Sequence, residues 1–420
     1  MVFITDFHIH SKYSRATSKD MNLENLDKWA RIKGIKVLGT GDFTHPQWLK
    51  ELKEKLEPAE VGLLKLKFNQ QSVRFILTTE VSCVYSKKGK VRKIHIVIFA
   101  PSFESVDKIN AHLSWIGNLK ADGRPILGLD VKELAKVVLN ISPDCFIVPA
   151  HIWTPHFSLF GSRSGFDSIE ESFEEYSKYV FAGETGLSSN PAMNWRWSAL
   201  DKITLISNSD SHSPSRIGRE ANVFEGEEIN YNSIIGAIKH RGSTFANLKL
   251  IYTIEFFPEE GKYHYDGHRL CGISLSPKET KKYNEICPVC GRPLTIGVLN
   301  RIEQLADRPE GFKPEGAIPF KSLIPLEEII ADAISQSRGT VEVEKEYKSL
   351  IEKFGSEFEV LINTKREDLE KATLPEIAEG IIRVREGRVK IEPGYDGVYG
   401  KVNLFSQREQ KLTSRQKTLF

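Results

Sequence analysis

Short hydrophobic runs alternate with longer amphipathic stretches over residues 1 to about 225. In Leu23–Lys33 and Pro46–Leu56 the apolar residues recur at helical spacing, which predicts two helices. Alternating strands and helices favour a mostly parallel sheet or a barrel. The predicted strands are Val2–Phe7, Val37–Thr40, Val73–Thr79, Ile94–Phe99, Phe146–Pro149, Val180–Ala182 and Ile203–Ser207.

The segment between residues 80 and 99 departs from this alternation. Val81–Ser86 and Val91–Phe99 flank the polar run Lys87–Lys90, which predicts an antiparallel hairpin. In that hairpin His95 falls opposite a residue within about two positions of Glu80, so the two side chains can meet.

The pattern changes near residue 250. Residues 255–308 are rich in Cys, His, Gly and Pro, and helical spacing follows them. We therefore predict an α/β domain at 1–250, a zinc-binding module at 251–310, a helical domain at 311–400 and a disordered basic tail at 401–420. The later predicted elements are helices Leu326–Ser337, Val343–Phe354 and Leu374–Arg385 and the short strand Phe358–Ile362.

Histidines and carboxylates recur where the predicted strands of the α/β domain end. His8 and His10 share one face of a strand, and Asp210 and His212 repeat that spacing. Strand ends meet at one edge of a parallel sheet or barrel, so these side chains are expected to converge. The predicted metal ligands are His8, His10, Asp42, Glu80, His95, His151, Glu184, Asp210 and His212.

Nine ligands exceed the needs of one cation, which predicts two or three ions with a bridging carboxylate. Nitrogen and oxygen ligands in this ratio suit zinc, manganese or iron, and Mg²⁺ is a further candidate for these positions. Any one of the histidines taken alone is more typical of an ordinary buried or surface residue; the combined pattern favours metal.

A second metal site is predicted from two ligand pairs, each separated by two residues. His268 and Cys271 form one pair and Cys287 and Cys290 the other, which matches a closed, structural Cys₃His zinc site. His264 is the alternative fourth ligand, although it breaks the two-residue spacing. The remaining cysteines, Cys83 and Cys145, are interpreted as packing residues.

The composition limits the partners and the cellular compartment that we expect for this protein. The 58 basic and 56 acidic residues give a net charge of +2, so nucleic acid would need a local basic groove. Five cysteines, three of them clustered, indicate metal binding in a reducing cytosol. No apolar run reaches the roughly 18 residues of a membrane span, and the first residues do not resemble a signal peptide. We therefore expect a cytoplasmic protein without membrane contact.

The order of the strand-end motifs resembles the polymerase and histidinol phosphatase family of metal-dependent phosphoesterases. The resemblance covers residues 1 to about 225 and implies a distorted seven-stranded βα barrel with a trinuclear metal centre. Two departures bear on the third metal. Asp42 stands where many members have histidine, and Ser14-Arg15-Ala16 lacks a further histidine of the family pattern. His45 is either its substitute or a solvated loop residue.

Phosphodiester hydrolysis is the chemistry that such a centre performs. We expect His8, His10, Glu80 and Asp210 to be catalytic by activating the attacking water, and His95 and His151 to hold the neighbouring metal. Arg216 or Arg219 is expected to contact the phosphate; a surface salt bridge is the alternative for both.

Longer runs resemble a narrower group, the endonuclease Q proteins. The matching runs are Gly39–Pro46, Gly183–Pro191, His264–Cys271, Cys287–Gly291 and Thr295–Val298. This resemblance implies a DNA repair endonuclease that cuts 5′ to deaminated bases (uracil, hypoxanthine or xanthine) and to abasic sites. The function alternatives are a small-molecule phosphomonoesterase and a non-catalytic DNA-binding module.

Lesion recognition of this kind requires a flipped nucleotide and side chains that stack on it or contact its edge. The candidates are Trp153, Asn190, Trp195, Arg196, Trp197 and, in a Gly-Ser loop, Arg163. Core packing is the alternative for the tryptophans, and a plain solvated turn is the alternative for the loop. Gln416–Phe420 resembles the start of a sliding-clamp (PCNA) binding box, with chance similarity as its alternative.

Overall fold

A computed structural model describes residues 1–405. Its strands are β1 (Val2–Asp6), β2 (Ile35–Gly39), β3 (Leu56–Pro58), β4 (Leu63–Leu66), β5 (Arg74–Lys87), β6 (Lys90–Ala100), β7 (Ile126–Leu127), β8 (Phe146–Pro149), β9 (Ala182–Glu184), β10 (Thr204–Ile206), β11 (Ala221–Gly226), β12 (Leu248–Glu255), β13 (Asp266–His268), β14 (Ile273–Leu275), β15 (Phe320–Ser322), β16 (Lys390–Glu392) and β17 (Lys401–Asn403).

The helices are α1 (Leu23–Lys33), α2 (Pro46–Lys55), α3 (Phe103–Leu113), α4 (Val131–Ile141), α5 (Ile169–Phe173), α6 (Pro191–Asn194), α7 (Tyr231–Lys239), α8 (Pro277–Lys282), α9 (Val298–Leu305), α10 (Leu326–Ala333), α11 (Val341–Phe354), α12 (Arg366–Ala372) and α13 (Pro375–Arg385).

A mixed sheet of eleven strands forms the centre of this α/β fold. β1 lies between β2, which runs parallel to it, and β11, which runs antiparallel. From β2 the pairing continues through β5 and β6 to β8, and β9 and β10 form a separate parallel pair. Two further hydrogen bonds connect this pair to the sheet. Ile152 N, just after β8, donates to Glu184 O at the end of β9, and His10 N, after β1, donates to Ser211 O, after β10. Closure into a seven-stranded barrel stays a prediction.

The hairpin predicted from residues 80 to 99 is confirmed. β5 and β6 are antiparallel, with Ser82 opposite His95 and Glu80 opposite Val97. His95 therefore lies two positions from Glu80 in register, on the face that both share.

The helix α2 positions the first carboxylate of the site. Its Trp48 is fully buried, and the indole Nε1 donates to the carbonyl oxygens of Thr40 (3.1 Å) and Gly41 (2.8 Å). Pro46 begins the helix, where a missing N–H costs nothing. The loop that carries Asp42 is thus held by both packing and hydrogen bonds.

The strand predicted at Phe358–Ile362 is wrong. Residues Glu359–Asn363 form a π-helical turn. Val360 and Leu361 are buried, but the backbone carbonyl of Leu361 accepts a hydrogen bond from Arg385 Nε of α13 (2.8 Å). Because a side chain satisfies this carbonyl, the apolar run needs no partner strand.

The tail predicted to be disordered from Lys401 is ordered over its first residues. Lys401–Asn403 pair with β16, and Leu404 is buried. The clamp-binding prediction at Gln416–Phe420 lies outside the described residues. Within residues 1–405, no helix combines the length and the apolarity that crossing a bilayer requires.

Candidate active site

His8 and His10 follow β1 and point their Nε2 atoms at two carboxylates. His10 Nε2 lies 3.3 Å from Glu80 Oε2 and 3.1 Å from Asp210 Oδ1, and His8 Nε2 lies 3.6 Å from Glu80 Oε2. Both Nε2 atoms are buried and lack a hydrogen-bond partner among residues 1–405. One donor atom from each of the four side chains falls within 4.8 Å of the others. Buried donors left without partners fit a divalent cation.

A second group of donors shares Glu80 with the first. Its other carboxylate oxygen, Oε1, lies 2.8 Å from His95 Nδ1 and 3.2 Å from His151 Nε2. These three side chains also bring donor atoms within 4.8 Å of one another. Glu80 therefore stands between two candidate cation positions, where a bridging carboxylate would stand.

Asp42 and Glu184 were predicted as ligands, but they contact the other nitrogen of each histidine. Asp42 Oδ1 accepts from His10 Nδ1 (3.0 Å), and both oxygens of Glu184 lie 3.0 Å from His8 Nδ1. Neither carboxylate joins a candidate ligand group in the described part of the chain. Such contacts set the tautomer of a ligand histidine and leave Nε2 free for the metal.

We expect Asp42→Asn to lower metal affinity or activity by roughly 10- to 100-fold, the usual cost of losing a carboxylate that orients a ligand histidine. Activity measured against metal concentration checks this. Asp107→Asn is the matched control, because its exposed carboxylate pairs with Lys53 at the surface. Unchanged metal dependence in Asp42→Asn would contradict the orienting role.

His212 lies at the edge of the first group. Its ring centroid is 4.4 Å from that of His10, and its Nδ1 lies 2.9 Å from the carbonyl oxygen of Asp210. It is partly exposed and belongs to neither group of converging donors within residues 1–405. Its role as a ligand stays a prediction.

The charges of the site favour cation binding. Burial raises the pKa of Glu80, but His95, Arg124 and His8 more than offset this and bring it well below its ordinary value. Burial lowers the pKa of His95 to about 4, against the opposing pull of Glu80. Glu80 also faces the permanently charged Arg124, so its carboxylate stays ionised, as a ligand of a metal must.

Arg124 was not found from the sequence. It lies in the loop between α3 and β7, and its Nη1 donates to Glu80 Oε2 at 3.0 Å. Neighbouring Gly123 presses the loop against the site, because a Cβ there would lie 2.3 Å from Asp42 Oδ2. No motif spacing links this loop to the strand ends, so only the fold reveals it.

Three residues of the site adopt a left-handed backbone: Asp42 (φ 51°), His151 (φ 30°) and Asp210 (φ 46°). Each such residue costs about 1–3 kcal/mol unless its surroundings compensate, and such strain clusters at functional sites.

The two arginines after His212 both contact groups of the protein. Arg216 pairs with Glu328 of α10, so the salt-bridge alternative is the one observed. Arg219 is half-buried and donates from Nε to the carbonyl oxygen of Ser209 (2.9 Å). It supports the backbone that carries Asp210, and its contact with the phosphate stays a prediction.

Two of the three tryptophans predicted to stack on a base are buried packing residues. Trp153 and Trp197 are buried with ring centroids 5.9 Å apart, and Trp153 Nε1 donates to Asn194 Oδ1 (2.7 Å). Trp195 is only partly buried and packs edge-on against Phe320 at 5.7 Å. Core packing is therefore the observed role of Trp153 and Trp197, and base stacking by Trp195 stays a prediction.

The polar candidates beside them are also structural. Arg196 pairs with Glu303, and Asn190 caps α6 by accepting from Met193 N (3.0 Å). Arg163 differs, because its side chain is exposed and makes no hydrogen bond or ion pair with any residue from 1 to 405. Together with the partly exposed Trp195, it stays available as a predicted DNA-contacting residue.

The four predicted zinc ligands converge. His268, Cys271, Cys287 and Cys290 bring donor atoms within 4.8 Å of one another, with Cys290 Sγ 3.5 Å from His268 Nδ1. Against the effect of burial, backbone N–H groups of Cys290 and Val289 lower the pKa of Cys287 to about 7, which favours the thiolate. The donor set fits tetrahedral zinc.

Two histidines left open by the sequence lie elsewhere. His264 is buried beside Tyr265 and is absent from the cluster that the described residues form, so the spacing argument for His268 is supported. His45 stacks on Tyr13 at 4.4 Å and joins no ligand group in the same part of the chain.

Known proteins resemble this chain either over a part of its length or over nearly all of it. Residues 325–388 match the family described as the MJ0043 C-terminal domain. The uncharacterized protein MJ0043 of Methanocaldococcus jannaschii is 37% identical over 267 residues, which are 61% of this chain and 32% of that protein. The match thus spans about a third of that longer relative. The uncharacterized protein YqxK of Bacillus subtilis is 28% identical over 410 residues, covering 94% of this chain and 98% of YqxK.

Two solved structures match along nearly the full length. The lesion-specific endonuclease PfuEndoQ from Pyrococcus furiosus has a TM-score of 0.85 and 31% identity, covering 98% of this chain and 99% of that chain. Endonuclease Q in complex with a 27-mer duplex substrate bearing an abasic lesion at the active site has a TM-score of 0.84 and 30% identity, covering 98% of each chain. Because these similarities extend over 98% of the chain and its candidate metal-ligating side chains converge, the chain belongs to the endonuclease Q family.

Proposed function

We propose that this protein is a DNA repair endonuclease that hydrolyses the phosphodiester 5′ to a deaminated base (uracil, hypoxanthine or xanthine) or to an abasic site, with a multinuclear metal centre. The carrying observation is Glu80, whose two oxygens face two separate groups of buried donors. A family member bound to duplex DNA with an abasic lesion at its active site supports DNA as the substrate.

The two groups of donors support two proposed cation positions. His8, His10, Glu80 and Asp210 would hold one ion, and Glu80, His95 and His151 the other. His212, whose ring lies 4.4 Å from that of His10, is a proposed further ligand. Bound divalent cations supply Lewis acidity to the phosphodiester and lower the pKa of water toward neutrality. Zn²⁺, Mn²⁺ and Mg²⁺ are the candidates, because the donors are nitrogen and oxygen.

The protein's own residues hold this arrangement in place before substrate arrives. Glu184 and Asp42 orient His8 and His10 through Nδ1, so each Nε2 faces inward. Arg124 donates to Glu80 Oε2 and limits the mutual repulsion of Glu80 and Asp210. Preorganised charge of this kind lowers the cost of reaching the transition state.

The zinc-binding module is proposed to be structural. Its four ligands leave no open position for substrate. We also propose that the strands β1, β2, β5, β6, β8, β9 and β10 form the seven-stranded barrel of this family. Sliding-clamp binding through Gln416–Phe420 is a separate proposal, and clamp retention that survives deletion of those residues would refute it.

End-labelled duplexes with one uracil, hypoxanthine, xanthine or abasic site, incubated with Mg²⁺, Mn²⁺ or Zn²⁺, test the proposal. We expect a single cut 5′ to the lesion and no cut in the undamaged control duplex. Hydrolysis of a phosphate monoester without any strand cut would favour the small-molecule phosphatase instead. Binding to damaged duplex without a cut under every metal would indicate a non-catalytic binding module.

A further inference from the structure

The loop from His151 to Phe166 forms a compact rim beside the second ligand group. Its backbone closes on itself through hydrogen bonds from Phe160 N to Ile152 O (2.9 Å) and from Phe166 N to Leu159 O (2.7 Å). Gly161 permits this closure, because a Cβ there would lie 2.1 Å from the carbonyl oxygen of Thr154. The rim is therefore preorganised and is more than a plain solvated turn.

Phe157 is the residue of this rim nearest to the donors. Its ring centroid lies 4.8 Å from that of His95, and its carbonyl oxygen accepts from His95 N (3.1 Å). The ring is only partly buried, and the backbone of Phe157 is left-handed at φ 60°. A bulky residue is rarely found in this conformation, and strained residues concentrate at functional sites.

One cation lies over this ring and a second lies on the same loop beside His156, and neither has a carboxylate partner among residues 1–405. Lys93 Nζ lies 5.4 Å from the centroid of Phe157, and Arg163 N donates to Pro155 O (3.0 Å), which places Arg163 beside His156. Neither Lys93 nor Arg163 forms an ion pair with a residue between 1 and 405. Burial, Arg163 and Lys93 all lower the pKa of His156, consistent with both cations lying near that ring.

The strand β6 sets the distance from these cations to the metal ligands. Lys93 and His95 are alternate residues, so they share one face of the strand about 6.6 Å apart. Because this is the spacing of the two Cα atoms, the long side chain of Lys93 starts close enough to the ligands to reach the nucleotide next to the one that they hold.

We propose that Lys93, Phe157 and Arg163 form a nucleotide platform for the DNA strand that is cut: the aromatic ring stacks on a base, and the two cations contact a phosphate next to the scissile one. This inference rests on the proposed function and adds the residues that hold the substrate strand. Stacking on an aromatic ring tolerates any base, so it suits an enzyme that must accept different lesions.

The full-length protein, assayed on an abasic-site duplex over a range of salt concentrations, tests the platform. We expect Lys93→Ala and Arg163→Ala each to raise KM about tenfold, to leave kcat at saturating DNA nearly unchanged, and to reduce the slope of log affinity against log salt by about 1. Lys90→Ala is the matched control, since this exposed lysine lies on the same strand but away from the rim.

Phe157 needs a different readout, because its ring also touches His95. We expect Phe157→Leu to lower kcat/KM about tenfold, in keeping with the energy of one base stacked on an aromatic ring, without changing the salt slope. Phe157→Trp should restore most of the activity if stacking is the role. Full activity in Phe157→Leu, or equal loss in both variants, would overturn the stacking role.

The outcomes separate the two proposals. If the wild-type protein cuts lesion DNA while Lys93→Ala and Arg163→Ala keep its KM and salt slope, the platform is wrong and the proposed function stands. If the wild-type protein cuts no lesion under any of the three metals, both are wrong.

Discussion

Replacing Asp210 by alanine is expected to lower lesion cleavage at least about a thousandfold, while the protein stays folded. Asp210 Oδ1 faces His8 Nε2 (3.7 Å) and His10 Nε2 (3.1 Å), so its loss removes one donor from the first ligand group. A thousandfold corresponds to about 4 kcal/mol of transition-state stabilisation, and metal ions supply several kcal/mol. Because the side chain is a quarter exposed, its removal opens little space in the core.

Single-turnover cleavage of an abasic-site duplex measures this effect, and circular dichroism checks the fold. His8→Ala is expected to behave in the same way. Asp20→Ala is the control, because that carboxylate is exposed at the surface and belongs to neither ligand group of the described chain. Cleavage by Asp210→Ala within tenfold of the wild-type rate would end the assignment of the first group.

The second large effect is expected at the zinc-binding module. Cys287→Ala should release one zinc ion per chain and lower the unfolding temperature by at least about 5 °C, since structural zinc adds its binding energy to folding. Cys287 is buried, whereas Cys290 is exposed, so the loss at Cys287 also removes packing within the module.

Zinc content by mass spectrometry, together with thermal unfolding, measures this outcome. The control is Cys145→Ala, a buried cysteine that contributes to the core and lies apart from the four ligands. It should keep its zinc even if it loses some stability. Zinc retained at the wild-type level in Cys287→Ala would exclude this ion from the Cys₃His site.

The spacing of apolar residues along the chain correctly predicted several elements of the fold. The helix predicted at Leu23–Lys33 has those bounds in the structure, and the hairpin register near His95 follows from alternation alone. These elements were predictable because the spacing of apolar residues records which side of a helix or strand is buried. The strand predicted at Phe358–Ile362 was wrong, because the carbonyl oxygens of Val360 and Leu361 accept hydrogen bonds from Arg385 of α13.

The aromatic residues show the limit of residue type as evidence. Trp153 and Trp197 pack in the core, while Phe157, which no motif marks, lies beside His95. Burial decides between packing and stacking, and burial depends on elements that are far apart in the sequence.

The sequence by itself determined which side chains could bind metal and that strand ends would bring many of them to one place, because alternation and ligand spacing are local properties. Only the tertiary structure decided which nitrogen of His8 and His10 faces inward, since Glu184 and Asp42 reach them from other strands. It also decided that Glu80 lies between two ligand groups and that Arg124 meets it. Those roles depend on distances across the sheet, and a one-dimensional pattern contains no such distances.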